Sequence, residues 1–146
     1  SGAPGALKAV VAALIALGVL QIAMGFAWYA GPGASHYSEF VAFGSLFKGV
    51  IGIALGLGLL NLNICCRAVM LFILGLGLPV IPLEALALVM SDAFASFVVE
   101  LTGFQSMSTM LIGMALGFAL FLWMFLMLMR EDVRNAFEVE LMAPAT

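Results

Sequence analysis

Four long apolar runs, 7–30, 40–62, 68–90 and 107–129, constrain this chain more than anything else in it. Each holds about the 20 residues that a helix rising 1.5 Å per residue needs to cross about 30 Å of hydrocarbon. Composition leaves no other solvent for them. Of the 146 residues 65% are hydrophobic and 9% charged, whereas soluble domains run about half apolar and about a quarter charged. In lipid every backbone N–H and C=O must find its partner within the protein, which restricts such runs to helices. The expected fold class is therefore all-α: an integral membrane four-helix bundle, one membrane domain over 1–146. The first run is too long for the apolar region of a signal peptide and lacks a processed stem, so it is expected to be a span.

Basic residues set the expected orientation. Lys8 stands at the very start of the first span, Arg67 lies between the second and third, and Arg130 and Arg134 follow the fourth, while 31–39 and 91–106 contain no Lys or Arg. The positive-inside rule then places both termini and the Arg67 turn in the cytoplasm. Trp28, Tyr29 and Tyr37 would stand in the outer aromatic belt. Gly31-Pro32-Gly33 signals a turn, and 61–67 has room only for a tight antiparallel hairpin. In 91–104, Phe94, Phe97, Val98 and Leu101 share one helical face and Ser96 and Glu100 the other. This pattern predicts a short interfacial helix between spans three and four. Beyond Arg130, Val133, Phe137 and Leu141 recur every four residues and predict that the helix continues outward as a cytoplasmic tail over 130–141.

Small residues mark candidate packing faces. Ser45, Gly49, Gly52 and Gly56 form one stripe in span two, and Ser106, Thr109, Gly113 and Gly117 form another in span four. Apolar association gains nothing in lipid, so such stripes matter because they let backbones approach closely. They can pack within the bundle, or dock another protein, a lipid or a flat pigment.

Two ionisable residues lie inside spans, Lys48 in the second and Glu84 in the third. Each costs about 2.5–3.5 kcal/mol near the bilayer centre on insertion scales. Counted from the outer ends they lie about 13 Å and about 9 Å deep, and the Lys stem can rise toward the surface. Lys48 stands three residues from Ser45 and four from Gly52, which assigns it to the small stripe. An ion pair between Lys48 and Glu84 is expected, either as a structural anchor or as a coupling site for a proton or ion. Pro79 and Pro82, just before Glu84, are expected to break the helix and free carbonyls at membrane depth.

Other candidates are ordinary. His36 is the single histidine, so no multi-histidine metal or haem site is expected and no cofactor is implied. Cys65-Cys66 are adjacent juxtamembrane thiols beside Arg67, where a reducing compartment disfavours a disulfide. Gln21, in mid-span, is expected to bond to a neighbouring helix. The six methionines of 107–129 are expected to be adaptable lipid-facing or packing residues, not a metal ladder. Five basic residues cannot track a phosphate backbone, which excludes nucleic acid as a partner.

The run 48–67, with Gly56-Leu57-Gly58-Leu59-Leu60 and a polar turn ending in Arg67, resembles small uncharacterised bacterial four-span inner-membrane proteins. So does the tail Arg130-Glu131-Asp132-Val133-Arg134-Asn135-Ala136-Phe137, an Arg-x-Asp-Val-Arg-x-x-Phe pattern in which Glu131 stands where the group often has Pro. The resemblance implies an inner-membrane location and no activity. With no complete catalytic motif in the sequence, the expected role is non-enzymatic. It is that of an accessory or assembly subunit, in contact with lipid and with other membrane protein subunits or a second copy. A small proton- or ion-coupled transporter is the alternative.

Overall fold

The computed structural model describes residues 3–30, 36–102 and 107–142. They form α1 (Gly5–Ala30), α2 (His36–Leu60), α3 (Ile64–Met90), α4 (Asp92–Thr102), α5 (Met107–Met129) and α6 (Glu131–Met142), with no strand among the described residues. α1, α2, α3 and α5 are long and apolar enough to cross a membrane. Between 11% and 28% of each such stretch is buried within the protein. The apolar majority of each span therefore faces outward, as lipid requires and water would not tolerate.

Two helix pairs build the bundle. α1 packs along α2 in the most extensive contact of the chain, and α3 packs on α5. They join at one end, where Leu7, Val10, Val11 and Leu14 of α1 meet Leu59 of α2, Met70 and Leu74 of α3, and Met124 and Leu128 of α5. A smaller cluster of Leu88, Ala95 and Met110 ties α3, α4 and α5 together at the other end. We call these the terminal end and the α4 end.

Single polar residues make the corners. Leu62 has φ 58°, and the N–H groups of Leu62 and Asn63 donate to the carbonyls of Leu59 and Gly58 at 2.9 Å each. That is the Schellman closure, with leucine in the left-handed position that usually favours glycine. Asn63 then opens α3, its Oδ1 accepting from the N–H groups of Cys65 and Cys66. Ser91 repeats the device: its N–H closes α3 on Ala87 and its Oγ accepts from the N–H of Phe94 at the start of α4. Asp92 adds a negative charge to the first turn of α4.

Two expectations are corrected here. The chain does not run on outward after α5. It bends at Arg130, and α6 folds against the terminal end with Val133 and Phe137 buried in the central core. Leu141, the third residue of that repeat, stays exposed. Nor do Pro79 and Pro82 break a helix, since α3 runs through both. Lipid offers no alternative partner to the flanking peptide groups, so the remaining i to i−4 bonds hold the helix together across the missing two.

Candidate functional site

The stripe in α2 is a contact between helices of the same chain. A Cβ on Gly49 would lie 2.6 Å from the Gly18 carbonyl oxygen, and one on Gly18 would lie 2.8 Å from that of Gly49. The two backbones therefore touch. Gly52 and Gly56 lie against Leu14 and Ile15 of α1. The Ser45 hydroxyl sits 2.7 Å from the Gln21 carbonyl oxygen and 3.1 Å from Gln21 Oε1, donating its one proton to one of them. Gln21 thus bonds across helices, as its mid-span position demands. Gly18 and Gly25, the answering residues of α1, are missed by the sequence reading. Their separation of seven residues, two helical turns, is the signal that finds them.

The stripe in α5 behaves differently. A Cβ added at Gly113 or Gly117 meets nothing within 4 Å. Neither glycine serves close packing, which corrects the expectation for that helix. Ser106 lies outside the described residues, and so does the side chain of Thr109.

The expected ion pair is also absent. Among the described residues the ion pairs are Arg130–Asp132 and Arg134–Glu138, both exposed. Lys48 and Glu84 are each exposed and not joined. Lys48 is not part of the Gly49 stripe either. At 100° per residue it stands about 70° from the centre of that stripe. It shares a face instead with Leu55 and Leu59, seven and eleven residues further on, which pack into the central core. α2 spends its small face on α1, and its contact with α3 is much the smaller of the two. The carbonyls released by Pro79 and Pro82 are those of Gly75 and Leu78. They lie about 150° around α3 from Glu84, so they and its carboxylate do not converge on one ion.

At the terminal end a second constellation forms that sequence spacing did not disclose. Arg67 reaches from α3 to α5 and donates from Nε and Nη2 to the Leu128 carbonyl oxygen, at 3.3 and 3.1 Å. Its guanidinium carbon stands 5.7 Å from the centre of the buried Phe137 ring of α6. One side chain thus caps the last turn of α5 and covers α6. The tail pattern acquires a physical meaning: Arg130 bridges to Asp132 across the bend, Val133 and Phe137 fill the core, and Arg134 reaches Glu138 one turn on. Sequence alone offers Arg67 as a topology signal. Its partners are 61 and 70 residues away, beyond any local period.

No group of three or more metal-ligating side chains gathers among the described residues. Cys65 and Cys66 are free thiols. These features define a multi-pass helical membrane protein. No protein family, no curated protein and no solved structure matches the chain.

Proposed function

We propose that this chain is a non-enzymatic accessory or assembly subunit of a larger membrane complex, lying in a bacterial inner (plasma) membrane with both termini cytoplasmic. The observation that carries this reading is α6. Its base is held by the buried Val133 and Phe137 under Arg67, while its far end displays Val139, Leu141 and Met142 at 64%, 63% and 84% exposure. Glu138 and Glu140 stand among these apolar residues, both exposed. A helix anchored at one end with an apolar tip at the other is a surface for a protein partner. At the α4 end, the exposed Phe94 and Phe97 suit a helix lying in the outer headgroup region.

Purification in mild detergent tests this. The parent is expected to migrate with a stoichiometric membrane partner, or a second copy. Leu141→Glu with Met142→Glu is expected to release it while the melting temperature of the bundle holds. A parent that migrates alone at the mass of one chain sinks the reading.

A proton- or ion-coupled transporter using Glu84 and Lys48 is the second reading. Its support is that both charges lie on core-directed faces of their helices. The continuous α3 and the diverging carbonyls of Gly75 and Leu78 weigh against it.

A further inference from the structure

The inward faces of the spans are packed together at the terminal end, are tied at the α4 end only on α3 and α5, and stand open between. On α5, Met110 and Met124 are buried. Gly117 lies seven residues from each, on the same face, yet a Cβ there meets nothing within 4 Å. Gly113, eleven residues from Met124 on that face, is equally open. On α3, Leu74 and Leu88 are buried, while Glu84, four residues before Leu88 and fourteen after Met70, is exposed between them. On α2, Lys48 is exposed on the face that Leu55 and Leu59 turn into the central core.

Three helices, α2, α3 and α5, thus leave their core-directed faces unfilled over one stretch, between the core at the terminal end and the Leu88–Ala95–Met110 cluster. Levels agree. Gly77 meets Phe121 across the α3–α5 pair, so seven residues further along α3 the antiparallel register sets Glu84 beside residue 114, between Gly113 and Gly117. Side chains tilt toward the start of their own helix. Lys48 therefore points toward the α4 end and Glu84 toward the terminal end, each toward the other's level.

We infer that the α4 half of the bundle contains a water-filled cleft between the two helix pairs. Lys48 and Glu84 line it, Gly113 and Gly117 leave its space, and it receives small charged hydrophilic solutes. An ammonium and a carboxylate facing lipid would each cost about 2.5–3.5 kcal/mol, whereas facing water they keep their hydration. The two charges stand apart on different walls, so one attracts an anionic group and the other a cationic one. α4 contacts both α2 and α3, and with the core at the terminal end it closes the cleft to a spanning partner helix. That leaves room for solute.

The probes are two membrane-impermeant thiol reagents, anionic sulfonatoethyl and cationic trimethylammonioethyl methanethiosulfonate. They are applied to a chain carrying Cys65→Ala, Cys66→Ala and Gly117→Cys. Gly113→Cys is the second sensor, and Ile112→Cys on the exposed outer face is the lipid reference. Gly117→Cys and Gly113→Cys are expected to react many-fold faster than Ile112→Cys, from the membrane face opposite the one that labels Cys65 in the parent. Lys48→Gln is expected to slow the anionic reagent about tenfold and Glu84→Gln the cationic one by a similar factor. Rates no faster than Ile112→Cys in monodisperse, folded variants overturn the cleft. Rates indifferent to Lys48 and Glu84 overturn its charged lining, and faster reaction from the Cys65 side overturns its direction of opening.

Discussion

The glycines divide by what stands opposite them. At Gly49 the nearest atom to an added Cβ is a backbone oxygen, which no rotamer change moves aside. Overpacking of this kind typically costs about 1–3 kcal/mol. Gly49→Ala is therefore expected to lower the thermal stability of the protein in detergent by that order, by forcing α1 from α2. Gly113 faces open space, and alanine is the better helix former by about 1 kcal/mol. Gly113→Ala is expected to leave the melting temperature unchanged or raise it. Equal losses at both positions would mean that the two stripes do the same work. Sequence marked both stripes alike, because four-residue spacing reports that a face exists and carries no information about its neighbour.

At the scale of elements, α6 depends on one residue of another helix. Arg67 makes two hydrogen bonds to Leu128 and covers Phe137, and hydrogen bonds from charged groups contribute about 1.5–3 kcal/mol. Arg67→Ala is expected to release α6 locally while leaving the α1–α2 pair in place. Limited trypsin digestion in detergent would show it as faster cleavage after Arg134, since proteolysis follows the open population. Arg67→Lys is expected to restore only part of the protection, because a single ammonium lacks the planar fork and its face for the ring. Unchanged digestion in Arg67→Ala would show that the buried Val133 and Phe137 hold α6 unaided. The helix itself was legible from the spacing of Val133 and Phe137. Its return to the bundle was not, because the same spacing suits a helix that continues outward.

For the whole molecule, the two helix pairs are coupled by the core at the terminal end and not by Lys48 and Glu84. Since no ion pair joins them, the effects of Lys48→Met and Glu84→Gln on stability are expected to add within about 0.5 kcal/mol in the double variant. Rescue in the double variant would show that the side chains meet. Proton flux in proteoliposomes, measured on the same proteins, separates the two functional readings. The subunit reading expects none in the parent, and flux that vanishes in a folded Glu84→Gln protein would favour the transporter.

The sequence by itself determined the four spans, the short helix before span four and the tail helix. Apolar length and helical period are local properties, and lipid permits those residues one backbone conformation. It also determined that Ser45, Gly49, Gly52 and Gly56 share a face and that Gln21 needs a partner across helices. Only the tertiary structure decided which helix each face meets. α2 lays its glycines on α1, which keeps Lys48 from Glu84. α5 turns Gly117 toward open space, and Arg67 draws α6 back under the bundle. Such pairings join residues tens of positions apart. They are set by which faces can fill one another's volume, a competition among all the helices at once that no spacing within a single helix records.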